Sequence, residues 1–93
     1  MVYVDIENKV KYDTDKMKLV STKIRVEYWK LFGDTQSFRS VKLYRSKKGK
    51  WLAVAEGKNL EVPVMVSEEK AEEMLIQYDV NKYEEIFGEL EEA

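Results

Sequence analysis

The sequence contains no cysteine and no histidine, one proline and four glycines in 93 residues. Without cysteine there is no disulfide, no thiolate nucleophile and no cysteine-ligated zinc. Without histidine there is no imidazole base, and the commonest metal ligand is missing. No apolar run approaches the roughly 20 residues that cross a bilayer. The opening stretch MVYVDIENKV has no positive leader before an apolar block, and no N-x-[ST] acceptor occurs. The expectation is a cytoplasmic protein with no membrane partner.

Catalytic signatures are equally scarce. There is no G-x-G-x-x-G, no phosphate-binding loop and no G-x-S-x-G. Gly33, Gly49, Gly57 and Gly88 are scattered as turn residues would be. Ser21, Ser37, Ser40, Ser46 and Ser67 have no histidine to activate them. Asp13-x-Asp15 can chelate a hard cation, but helix capping needs the same residues at the same place. The expectation is therefore a non-enzyme without metal or cofactor.

The length fits one domain over residues 1–93. Hydrophobic residues at 44% and aromatics at 12% suffice for a packed core. The formal charge of −2 hides an asymmetry. Residues 1–60 carry 14 Lys/Arg against 7 Asp/Glu, a net of +7; residues 61–93 carry 2 against 11, a net of −9. Two faces of opposite sign are expected, each a candidate docking surface.

Residues 2–12 alternate. Val2, Val4, Ile6, Val10 and Tyr12 share one parity, which predicts a half-buried strand or, with Glu7-Asn8-Lys9 as a turn, a hairpin. Asp13-Thr14-Asp15 predicts the cap of a short helix through about Ser21, with Met17 and Val20 inward. Residues 23–32 read as a strand carrying Ile24, Val26, Tyr28 and Phe32, with helix as the alternative. Gly33-Asp34-Thr35 ends it.

Residues 38–46 and 50–56 predict a hairpin around Ser46-Lys47-Lys48-Gly49, because Gly49 can take the positive φ of such a loop. Glu56 to Asn59 is a turn, and Leu60–Val66 with Pro63 is an edge strand or connector. Ser67 caps a helix whose apolar stripe is Ala71, Met74, Leu75 and Tyr78. Asn81 with Glu84 resembles a capping box for a second helix carrying Tyr83, Ile86, Phe87 and Leu90, fraying after Gly88. The fold class is α+β: a small antiparallel sheet of three to four strands packed by C-terminal amphipathic helices.

Two charged features stand out. The acidic one is the outward helix face, where Glu69, Glu72, Glu73, Glu84 and Glu85 are the candidate partner-binding residues. Glutamates at i,i+4, such as Glu69 and Glu73, repel, and only Lys70 and Lys82 offset them. Such a face suits a basic host protein or nucleoprotein complex, or imitates a nucleic-acid backbone. It is also what an ordinary solvated helix face looks like.

The basic feature is the 37–51 hairpin. Arg39, Lys42, Arg45, Lys47, Lys48 and Lys50 suit phosphates, and Tyr44 and Trp51 are possible stacking platforms. The ordinary alternative is a lysine-protected sheet edge with its aromatics in the core.

Three stretches together carry a resemblance: Tyr12-Asp13-Thr14, Leu43-Tyr44-Arg45-x-Lys47-Lys48-Gly49, and Ser67-Glu68-Glu69 through Lys82-Tyr83-Glu84-Glu85-Ile86-Phe87-Gly88-Glu89. Their order resembles small functionally uncharacterised open reading frames of bacterial phages, prophages and conjugative elements. In that group a Gly-rich loop commonly follows the hairpin; here the connection from Gly57 to Val66 is short. The resemblance implies a non-catalytic protein-binding module. Such a module would plausibly be an inhibitor of a host defence complex, anti-CRISPR or anti-restriction in kind, acting through its acidic helices. The alternative expectation is nucleic-acid binding through the basic hairpin. A third, a structural or assembly protein, rests on β-edges such as residues 60–66 pairing between chains.

Overall fold

The computed structural model describes residues 1–25, 40–57 and 60–93. Strands β1 (Val2–Asp5) and β2 (Val10–Asp13) form a two-stranded antiparallel hairpin. Strands β3 (Lys18–Ile24), β4 (Ser40–Arg45), β5 (Trp51–Gly57) and β6 (Leu60–Val66) form a four-stranded antiparallel sheet in sequence order. Helices α1 (Glu68–Tyr78) and α2 (Val80–Phe87) follow. The fold is α+β.

Alternation along β4 and β5 assigns the sheet's two faces. Val41, Leu43, Trp51, Ala53 and Ala55 are buried on the helical side with Val20 and Ile24. Ala71, Met74 and Leu75 of α1 close over them, joined by Tyr78, Tyr83, Ile86 and Phe87. Phe87 stacks on Trp51 at a centroid distance of 6.0 Å, and Tyr83 lies 5.2 Å from Phe87. Leu52 and Val54 point the other way and meet Tyr12, with Tyr3, Val10, Met17, Tyr44 and Met65 around them. The β1–β2 hairpin thus covers the sheet face that the helices leave open.

That hairpin corrects the expected facing of its residues. Ile6 to Lys9 turn the chain, and the register pairs Tyr3 with Tyr12 and Val4 with Lys11. Partner numbers sum to 15, an odd number, so even positions of β2 share a face with odd positions of β1. Val10 and Tyr12 therefore face the sheet together with Tyr3, while Val2 and Val4 lie outside at 50% and 57% exposure. Asp5 Oδ1 accepts from the Asn8 backbone N–H at 3.3 Å, and Oδ2 from Asn8 Nδ2 at 2.9 Å. These bonds hold the Asp5 carboxyl below its usual range. Lys9 takes φ +54, where a Cβ is unwelcome.

The helix expected over 13–21 is not formed. Asp13 Oδ1 accepts from Asp15 N–H at 3.1 Å and Asp13 O from Lys16 N–H at 3.0 Å, which makes a turn. Asx bonding serves turns and helix N-termini alike, so the local signal is ambiguous. The pairing of residues 18–24 with β4 then takes the segment as strand. Register shifts at Leu19/Ser21 and Ser21/Ile24 mark bulging, so that consecutive Val20 and Ser21 are both buried. The expected strand at 23–32 contributes only its start to β3; Val26 to Phe32 and the turn at 33–35 lie outside the described residues, as do Lys58 and Asn59.

The β4–β5 hairpin forms as expected. Ser46 N–H donates to Lys50 O at 2.8 Å, Gly49 N–H donates to Ser46 O, and Gly49 has φ +83. β6 is an edge strand, with Pro63 opposite Val54. Ser67 Oγ accepts from Lys70 N–H at 3.1 Å and caps α1. The cap of α2 is Asp79, not Asn81, which lies inside the first turn. The Asp79 side chain does not cap; its Oδ2 accepts from Ser21 Oγ at 2.7 Å, a buried bond that ties the helix junction to β3. α2 ends at Phe87, where Gly88 adopts φ +103.

Candidate functional site

The hairpin-side layer builds a cleft. One wall is β2 and the turn after it, and the other is the β4–β5 loop. Its volume is about 820 Å³. Lys9, Lys11 and Lys16 stand on the first wall, and Lys47, Lys48 and Lys50 on the second; all six are exposed. Val10, Tyr12 and Met17 are its apolar lining; Tyr12 belongs to the buried cluster with Leu52 and Val54, and Val10 and Met17 pack against that cluster. Burial raises the Tyr12 phenol above its ordinary value, with the Asp5 charge adding to it.

Two carboxylates line the same cleft. Asp13 is occupied by the Asp15 N–H, and Asp15 Oδ2 lies 3.5 Å from the Met1 amino group. Six lysines against two aspartates leave the lining at a formal +4. A second hollow of about 420 Å³ shares Asp15, Lys16, Met17, Ser46 and Lys47 with the first. It continues to Lys18 and Arg45. The two form one cationic track.

Of the basic residues expected to act together, Lys47, Lys48 and Lys50 converge here. Three others do not join them as free groups. Lys42 Nζ is 2.8 Å from Glu56 Oε1, on the far half of β4. The Arg45 guanidinium lies 5.4 Å over the Trp51 ring. Arg39 lies outside the described residues. The aromatic platforms are corrected outright. Trp51 is 1% exposed, inside the helical-side core, and offers no face to a base. Tyr44 is half-buried against the Tyr12 cluster. Lys9, Lys11 and Lys16 were absent from the expected set, because their approach to the β4–β5 loop is tertiary. A local hint is the Glu7-Asn8-Lys9 turn, which ends on Lys9 and starts the strand that carries Lys11.

The acidic face lies on the helices, across the sheet from the hairpin. Glu69 and Glu73 are exposed and Glu72 is half-buried. Three of the five candidates have partners within the chain. Glu73 lies 3.7 Å from Lys70, Glu85 3.1 Å from Lys82, and Glu84 Oε2 accepts from Leu90 N–H at 2.9 Å. Among the described residues, no ion pair joins a helix carboxylate to a lysine of the cleft. The described residues contain no group of three potential metal ligands, and none of their helices is long and apolar enough to cross a membrane.

Comparison with protein-family models, with curated proteins and with solved structures finds no match for this chain. The residues and their geometry therefore carry the functional argument.

Proposed function

We propose that this protein is a non-catalytic nucleic-acid-binding module that holds a phosphate backbone in the lysine-rimmed cleft. The observation that carries this reading is the placement of six exposed lysines, from two distant stretches of the chain, around one concave site. Lysine is a compact point charge suited to phosphate without base readout. Like charges gathered in a cleft focus the field there, whatever the net charge of the chain. The overall −2 is no objection, since residues 61–93 alone carry a net of −9. Lys9 adds a second support: it occupies φ +54, where Asn or Gly would be cheaper.

The test is titration of a labelled single strand at low and moderate salt, with the wild-type chain and with Lys47→Ala/Lys48→Ala/Lys50→Ala. Loss of three phosphate contacts should flatten the salt slope by roughly two on a single strand. An unchanged slope removes the cleft as the site.

A second reading keeps the acidic helices as a docking face for a basic host protein or nucleoprotein complex, in the manner of a phage-borne inhibitor of host defence. What favours it is the exposure of Ile76 and Val80, 44% and 40%, on the two helices that carry the acidic candidates. Interfaces use such apolar centres inside charged rims. Under this reading Glu69→Lys/Glu72→Lys abolishes partner binding with the melting temperature nearly unchanged; surviving binding would rule it out.

A further inference from the structure

The cleft is more than a charged surface. Val10, Tyr12 and Met17 share its lining with the lysines, apolar groups that need no presence there if the ligand is only a phosphate chain. Tyr12 is 94% buried, and Met17 and Val10 are half-buried against its cluster. Covering such a floor is favourable when the covering surface is itself poorly hydrated. Duplex DNA turns its bases inward and offers phosphate and sugar to a site of this kind. An unpaired nucleotide offers a base face together with its phosphate.

Resting on the nucleic-acid reading above, we propose that the ligand is single-stranded and that an unpaired base seats on the Val10–Tyr12–Met17 floor while the flanking phosphates run between the two lysine walls. The continuous track favours this occupant over a lone anionic head group. Cations line both walls of the larger hollow, and Lys16, Lys18 and Lys47 carry the line into the smaller one. A repeating anion uses that length; a single head group uses one end. Methionine adapts its thioether to a flat partner, and base contacts of this sort tolerate any sequence. The site is thus expected to prefer unpaired strands without strong preference among bases.

Four probes at one salt concentration test this with the wild-type chain: an oligothymidylate, an abasic strand of the same length, a duplex of the same length, and anionic phospholipid vesicles. The oligothymidylate should bind about ten-fold tighter than the abasic strand and also tighter than the duplex. Met17→Ser should bring the oligothymidylate down to the abasic level, whereas Lys47→Ala/Lys48→Ala should weaken both strands by the same factor. The abasic comparison needs no variant, so it stands even if Met17→Ser folds poorly. Equal binding of abasic and base-bearing strands would overturn the base seat while leaving a backbone site in the cleft. Preference for the duplex would overturn single-strand selectivity. Binding to vesicles but to no oligonucleotide would overturn both this inference and the nucleic-acid reading on which it rests.

Discussion

The two faces of the β3–β6 sheet are covered by different chemistry. On the helical side, Trp51, Leu43, Val41, Ile24 and Leu75 are all at or below 1% exposure, and aromatic rings of α2 complete the layer. On the hairpin side, among the described residues, only Tyr12, Leu52 and Val54 are buried, and polar contacts take over at the rim. There Lys42 meets Glu56 at 2.8 Å, Glu56 also accepts from Ser40 Oγ, and the Tyr3 hydroxyl donates to Glu61 at 3.3 Å. One face holds the fold together. The other is thinly packed, polar at its margins and crowded with cations, as a surface kept for a ligand would be.

The contrast breaks most visibly by core truncation. Leu75→Ala should cost about 3 kcal/mol, by lost burial and the cavity left under α1, and should leave the affinity of the folded fraction for nucleic acid unchanged. Thermal melts with a parallel binding titration read both. Ser21→Ala comes next. It removes the hydroxyl that donates to the buried Asp79 carboxylate inside the helical layer and should cost about 1–3 kcal/mol. A neutral result would mean that water replaces the hydroxyl there.

On the hairpin side the effects on stability are smaller. Glu56→Gln removes a half-exposed ion pair and should cost under about 1 kcal/mol. Its pH dependence has a definite sign. The Lys42 ammonium holds the Glu56 carboxyl below its ordinary value, so the contribution is present above that value and fades as pH falls through the lowered one. The Lys42 pKa is raised, chiefly by the same bond, so its share is present below the ordinary lysine range and is lost as pH rises through the raised value. The wild-type advantage over Glu56→Gln should span neutral pH and vanish in acid, as melts across pH would show.

The smallest effect sharpens the comparison most. Lys9→Asn relieves a positive φ and should stabilise by a few tenths of a kcal/mol, while weakening strand binding. A substitution that helps the fold and harms the ligand marks the hairpin side as functional. If affinity rises or holds, Lys9 is no part of the site.

What was legible in the sequence was local. Ser67 as a cap, the Ala71–Met74–Leu75–Tyr78 stripe and the Gly49 loop each depend on residues within a turn or two, and each is found. The misreadings came where local chemistry fits two outcomes. Asp13 bonds Asp15 in a turn as it would at a helix start, and Asn81 had the spacing of a cap that Asp79 occupies. The facing of Val2 and Val4 was set by an odd register sum that no alternation reveals. The cleft was least legible. Half of its lysines lie in the first 16 residues and half beyond residue 46, and the tertiary packing of the Tyr12–Leu52–Val54 cluster brings them together.

The central claim is that the basic cleft, not the acidic helix face, is where this chain meets its ligand. The most direct measurement is the affinity of a labelled single strand across a salt series, for the wild-type chain, for Lys47→Ala/Lys48→Ala/Lys50→Ala and for Glu69→Lys/Glu72→Lys. Salt-dependent binding that falls with the lysine variant and does not fall with the glutamate variant is the expected result. Binding that is absent in the wild-type chain, or indifferent to the three lysines, would contradict it.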